Sequence, residues 1–467
     1  MSKQKELIKN TIIIFIGKIS TQFLTFFLLP IYTRFLSTSD YGYVDLILTY
    51  ISLLVPVITI QQEMATFRYL VDSRNDNKKI KKIISNSIWN ILLYSVLSIM
   101  LFLIVIQFTS FKYFYYIVIN IVVCIFSNLF MQIARGLGKN IQYSIASFVT
   151  GLITVTSNII LICYYGIGAK GMLISMTLAN IICCIYLFFS LKLYKYISTK
   201  EKDSNLSKEM MKYSLPLVPN GISWWFINVS DRTIISFILG VSANGIYAVA
   251  NKFPSIISSF LGIFNLSWTE SASLHINDKD RDEFFSNVAK NVLHIFSSLC
   301  LGIIAVLPFI FNIIIGKKYI DSYNYIPIFL IGSMCSCIVS IYSAIYIAKK
   351  MTKKVAYTSI ASAVINIVIN LIFIKYIGLY AAAISTALAY FIMMIYRHFD
   401  LKKYVNIKYN FKDIMITIIM FTISILLYYV NNNIGNIINI ALAIIYALFV
   451  NLKYLKLLFK KRKYINL

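Results

Sequence analysis

Asp45, Thr49, Ser52, Pro56, Thr59 and Glu63 recur at intervals of 4, 3, 4, 3 and 4 residues. At about 100° per residue this spacing holds them on one face of a helix. A single helix through 41–63 would therefore carry a polar stripe from end to end. Thr11, Lys18, Gln22 and Thr25 share a second narrow face. Asn220, Trp224, Asn228 and Asp231 share a third, with Arg232 turned about 100° from it. Lys252, Ser255 and Ser259 form a fourth. All four stripes lie inside long apolar runs. Charge in such a run is costly and normally faces a water-filled path or a partner. These residues in this pattern suit passage of a charged cargo or an ion through a membrane.

Lys18 lies roughly 15 Å into its run, too deep to reach the surface comfortably by snorkelling, and no acid stands one turn away. Asp231 and Lys252 fall at similar depth on antiparallel neighbours, which equally makes a plain salt bridge. Ser52, Ser255 and Ser259 also serve as ordinary packing groups between helices. Arg34, just past Pro30, suits either the mouth of a path or an interfacial anchor. Glu63 and Glu270 stand near span ends and also suit boundary positions.

The elements that must position these groups are membrane spans. Of the 467 residues, 59% are hydrophobic and 13% charged, with mean hydropathy +0.76. That is too apolar for a soluble globular domain. Apolar runs of about 20 residues, enough for one crossing each, fall at 8–33, 41–63, 83–108, 113–134, 141–165, 170–191, 213–238, 245–269, 287–314, 324–348, 355–376, 378–396, 413–430 and 435–452. An all-α polytopic protein of about 14 transmembrane helices follows. The first run is long, carries Lys18 and Gln22, and reads as a retained span rather than a cleaved signal.

Charge supports this count. With the N-terminus in the cytoplasm, 35 Lys and Arg lie on that side, 6 lie outside, and Lys18, Arg232 and Lys252 fall within spans. This is the positive-inside pattern of a multi-pass protein in the bacterial cytoplasmic membrane, both termini cytoplasmic. A net charge of +26 would suggest nucleic acid in a soluble protein. Here the basic segments separate apolar runs, so their partner is the anionic face of the lipid bilayer and no nucleic acid.

The longest hydrophilic connection, 192–212, follows six spans and reads as a cytoplasmic linker. Shifted by 203 residues, the first segment matches a later one at ten of 38 positions, including Lys5, Glu6 and Lys9 on Lys208, Glu209 and Lys212. The expected organisation is a six-helix lobe at 1–191, the linker, a second pseudo-symmetric lobe at 213–396, and a loop, two extra helices and a basic tail at 397–467. Two six-span repeats share one orientation and enclose a cavity on an axis along the membrane normal.

No enzyme signature appears. The sequence has no Walker lysine loop, no Ser/His/Asp cluster and no metal-ligand spacing among its seven cysteines and three histidines. External loops are too short to build an active-site domain. No cofactor is implied beyond a possible proton or sodium gradient.

Gly17, Lys18, Gln22, Pro30, Thr33 to Leu36 and Asp40 to Gly42 together resemble the opening of the O-antigen-type polysaccharide repeat-unit flippases. These belong to the multidrug/oligosaccharidyl-lipid/polysaccharide exporter superfamily. Tyr213 to Pro219, Asp231 and Arg232, Gly240, Gly245 to Tyr247, Lys252 and Gly316 to Tyr319 fit the second half of that family in span order. The resemblance implies two six-helix lobes around a cationic lumen. It implies movement of an undecaprenyl-diphosphate-linked oligosaccharide, for O-antigen or capsule, from the inner to the outer leaflet by alternating access.

On that reading Lys18, Arg232 and Lys252 compensate the diphosphate, Gln22, Asn220, Trp224 and Asn228 contact sugar, and Arg34 also belongs to the substrate-binding lumen. Asp45, Glu63 and Asp231 become the ion-coupling candidates. A polysaccharide polymerase and chain-length machinery would be partners. Asp231 and Asp45 depart from a purely cationic lumen. Other functions compatible with the chain are a cation-coupled multidrug exporter, a lipid II or teichoic-acid precursor flippase and, from a different class, a polymerase enzyme.

Overall fold

A bilayer offers no water to hydrogen-bond the backbone, so a spanning segment must satisfy its own N–H and C=O groups, and the helix does so locally. The computed structural model describes residues 26–108 and 112–465. Among the described residues every regular element is helical, and twelve helices are long and apolar enough to cross a membrane. The chain is a multi-pass, all-α membrane protein. Two further expected spans are not among the twelve. The one at 8–33 falls largely, with Lys18 and Gln22, outside the described residues. The one at 213–238 forms the helix Leu217–Ile238, which carries Asp231 and Arg232.

The chain divides into two compact units after Arg232. The first contains α1 (Leu29–Phe35), α2 (Thr38–Ile58), α3 (Gln62–Asp72), α4 (Asn77–Val105), α5 (Phe114–Gly136), α6 (Asn140–Asn158, continued by a π-helical segment Ile159–Tyr164), α7 (Ala169–Ser190), α8 (Ser204–Ser214) and the first part of α9 (Leu217–Ile238). α5 packs against α3 and α7, and α6 packs against α7. Gly136 lets α5 approach α3 closely, since a Cβ there would lie 2.7 Å from Leu70 Cβ.

The connection 192–212, expected as a hydrophilic linker, is tied to the start of α4. Ser85 Oγ donates to Ser198 O at 2.5 Å, and Asn86 Nδ2 donates to Glu201 O at 3.3 Å. Asn86 Oδ1 accepts from Asp203 N at 2.9 Å and from Ser207 Oγ at 3.0 Å. Both Ser85 and Asn86 are fully buried, so these bonds replace water rather than compete with it. Asp203 then caps α8 by accepting from the amides of Asn205 and Leu206.

The second unit holds the rest of α9, α10 (Val241–His275), α11 (Arg281–Ile314), a 3-10 segment Lys317–Tyr325 that runs into α12 (Ile326–Ala348), α13 (Thr352–Ile377), α14 (Leu379–Leu401), α15 (Phe411–Val430) and α16 (Asn433–Ile465). The span containing α12 is 72% buried against 22–44% for the others, which makes it the unit's central helix. It is flanked by α10 and α14. Against α14 the approach is close, since a Cβ on Gly332 would meet Ala387 Cα at 3.2 Å. Small residues at such crossings let helices gain dispersion contact where lipid gives no hydrophobic drive.

α15 and α16 form a hairpin secured at both ends. Tyr446 OH lies 2.8 Å from both Ser297 Oγ of α11 and Thr417 Oγ1 of α15. At the other end, Tyr428 stacks on Tyr323 with ring centroids 4.0 Å apart. Lys290 Nζ reaches Asp413 Oδ2 at 2.8 Å, with His294 Nε2 at 3.6 Å from the same oxygen.

Asn86→Ala removes one buried side chain that bonds three residues of the linker, and should lower stability by about 1–3 kcal/mol, measured by thermal unfolding in detergent. The amides of Leu206 and then Asn205 hold the Asp203 carboxyl below the usual carboxylate range. A depressed acid stabilises above its unfolded pKa and loses that contribution as pH falls through the folded value. Hydrogen exchange at the start of α8, corrected for its intrinsic rate, should therefore accelerate only below the ordinary carboxylate range.

Candidate functional site

α2 begins with Ser37 as N-cap, which accepts from Asp40 N at 3.0 Å and donates to Asp40 Oδ2 at 2.8 Å. This start fixes the register of the helix and places Asp45 about 10 Å along it at 1.5 Å per residue. Asp45 Oδ2 accepts from Arg232 Nε of α9 at 2.8 Å, and the two side chains are 15% and 17% exposed. One turn further, Thr49 O accepts from Trp225 Nε1 at 2.9 Å. Trp225 is buried, with its ring 6.0 Å from that of Tyr50. Beyond the end of α2, Gln61 Nε2 donates to Leu217 O at 2.9 Å. As numbers rise along one strand of this seam they fall along the other, so α2 and the first part of α9 run antiparallel, joined at three depths.

The continuous stripe expected through 41–63 is corrected here: α2 ends at Ile58. Ile60 N bonds to Val57 O and Gln61 N to Pro56 O, the paired closure of a Schellman cap. Ile60 and Gln61 adopt φ of +50° and +51°, a conformation usually left to glycine and unfavourable for a β-branched residue. Glu63 consequently sits on α3, out of register with Asp45. Beside the break, Thr59 Oγ1, Gln62 Oε1 and Glu63 Oε2 are buried with no hydrogen-bond partner among the described residues.

The other sequence-assigned residues are placed as follows. Arg34 is exposed in the last turn of α1, where a cation favours the helix C-terminus. Asp231 is buried on α9, and Lys252 is half-buried on α10 in the second unit. Ser255 donates to Lys252 O and Ser259 to Ser255 O, so both serines of that stripe bond to their own helix. The side chains of Asn220, Trp224 and Asn228 lie outside the described residues. The structure thus brings Asp45 and Arg232 together, one assigned to ion coupling and the other to the substrate. Among the described residues no group of three His, Cys, Asp or Glu side chains is arranged to hold a metal ion.

Sequence reasoning missed Trp225 and Gln61. Trp225 precedes Arg232 by seven residues, two helical turns, and so shares its face; that spacing was the available signal. Gln61 acts through the break after Ile58, which periodicity does not reveal.

Residues 7–268, more than half of the chain, match the family described as polysaccharide biosynthesis protein. The chain belongs to that family. The resemblance read from its opening and seventh and eighth spans is borne out at this level. A comparison with curated protein sequences gives no match. Among solved structures, this family member is similar to a lipid II flippase MurJ in an inward closed conformation. The identity is 16%, with 96% of this chain and 100% of that one covered and a TM-score of 0.73. It is also similar to a multidrug resistance MATE family transporter of the MOP superfamily in an inward-facing conformation, at 13% identity, 82% and 95% coverage and a TM-score of 0.68. A MATE crystal structure in complex with MaL6 gives 14%, 85% and 96%, and 0.59. At these identities the likeness establishes the fold.

Two measurements check the geometry. Arg232→Gln leaves a buried carboxylate without its cation and should lose about 3–5 kcal/mol, while Asp45→Asn/Arg232→Gln together should recover most of that. Ile60→Gly relieves the left-handed cap and should raise stability by about 1 kcal/mol, read as a higher unfolding temperature in detergent.

Proposed function

We propose that this chain is a flippase that carries undecaprenyl-diphosphate-linked oligosaccharide from the inner to the outer leaflet of the cytoplasmic membrane by alternating access. The observation that carries the reading is the Arg232–Asp45 pair, a cation kept within the spans by a carboxylate. A diphosphate cannot cross hydrocarbon unaided, and a guanidinium offers it a planar fork of donors. Exchange of Asp45 for a phosphate oxygen on Arg232 keeps the cation compensated throughout. The displaced Asp45 then takes up a proton or sodium ion, which couples the step to a gradient. Glu63 and Asp231 are the further coupling candidates. Membership in a polysaccharide biosynthesis family favours an oligosaccharide cargo.

In the same reading Lys18, Arg34 and Lys252 supply further positive charge, and Gln22, Asn220, Trp224 and Asn228 contact sugar. The lipid tail stays in the bilayer. Both termini face the cytoplasm, and a polymerase with its chain-length machinery takes the delivered units. A drug exporter of cations gains nothing from added basic groups. Lipid II carries the same diphosphate handle, and the fold likeness to MurJ keeps it as the second reading.

In a strain that depends on this gene for surface polysaccharide, Arg232→Gln should reduce polymer display at least about tenfold per molecule of protein in the membrane, the loss of one charge-assisted contact, with display normalised to abundance because the same substitution lowers stability. Asp45→Asn should retain display but lose its dependence on the ion gradient. Normal display with Arg232→Gln would refute the role given to this residue. Rescue of peptidoglycan synthesis without polymer display would move the cargo to lipid II.

A further inference from the structure

α14 turns an apolar face outward from the second unit. Ile392, Ile395, Tyr396 and Phe399 are 42, 39, 56 and 60% exposed and recur at helical spacing. Two clefts of about 490 and 350 Å³ lie along this face and share Ile392 and Tyr396, so they form one trough. One part runs between α13 and α14 past Ala361 and Ile365. The other ends at Asp400 and Lys403. On a membrane-spanning helix such a face meets acyl chains, and the size suits a small amphiphile.

The polar end of the trough carries excess positive charge. Asp400 accepts from Lys354 Nζ at 2.8 and 2.7 Å and from Tyr346 OH at 2.7 Å. One turn earlier Arg397 is 1% exposed. Its hydrogen bonds run to Thr358 Oγ1, Ser343 Oγ, Ser359 Oγ and the carbonyls of Val339 and Val355. Every one of these acceptors is neutral, so the guanidinium is well bonded while its charge persists in a low-dielectric setting. Thr358, which takes two of the bonds, also lines the trough. Lys403 lines this end, exposed and 3.8 Å from Asp400 Oδ1, and its chain neighbour Lys402 is exposed over the ring of Phe399. Asp400 is thus outnumbered by Arg397, Lys354, Lys402 and Lys403.

We infer that this trough holds one anionic glycerophospholipid, its chains against Ile392, Tyr396 and Phe399 and its phosphate at Lys403 beside the Arg397–Thr358 edge. A zwitterionic lipid offers the same chains without the net charge that the lysines select. The site serves a resident lipid and does not depend on the cargo that the chain carries.

The test is native mass spectrometry of the full-length protein exchanged into phosphatidylglycerol, phosphatidylcholine or undecaprenyl phosphate. The wild type should retain one phosphatidylglycerol about thirtyfold more often than phosphatidylcholine, in keeping with about two lysines at a membrane surface. Lys402→Glu/Lys403→Glu should abolish that preference. Ile395→Trp, which fills the trough and keeps every charge, should reduce retention equally. Equal retention of the two phospholipids, preference for undecaprenyl phosphate, or unchanged retention in either variant would overturn the inference.

Discussion

Arg232 is compensated by an opposite charge inside the first unit, and that pairing joins α2 to α9. Its guanidinium meets Asp45 at 2.8 Å with both side chains largely shielded. The pair is one of three contacts along the seam with α9, with Trp225 on Thr49 O and, beyond the end of α2, Gln61 on Leu217 O completing it. Burying an ion pair is weak evidence of stability, because desolvation offsets much of the attraction. On the proposed function, the pair is a device that exchanges partners when the diphosphate arrives.

The gross fold was legible in the sequence because hydrocarbon thickness sets span length. Most of the expected runs, such as 113–134 and 170–191, have their helix within a few residues. The break at Ile60 and Gln61 was not legible. Pro56 hinted at it, but the left-handed residues are an isoleucine and a glutamine, where composition would call for glycine. Trp225 was overshadowed by Trp224, whose spacing completed a tidier stripe. Which carboxylate meets Arg232 also lay beyond periodicity, since partner choice depends on the packing of two helices some 187 residues apart in sequence.

Polar residues in this chain serve two distinct ends. Many, including Ser52, Ser255 and Ser259, return a hydrogen bond to their own helix backbone, which satisfies the hydroxyl without committing it to a neighbour. Others join segments: Asn86 holds the linker, Tyr446 holds the C-terminal hairpin, and Arg397 ties α14 to α12 and α13. A polar stripe alone cannot separate these uses, and it is the partner atom that distinguishes them.

The most direct measurement is equilibrium binding of undecaprenyl diphosphate to the purified protein, with undecaprenol as the uncharged control, compared between wild type and Arg232→Gln. The account predicts that the diphosphate binds more tightly than the alcohol in the wild type, and that this margin falls at least about tenfold in the variant, one charge-assisted contact's worth. Equal margins in both proteins would contradict it.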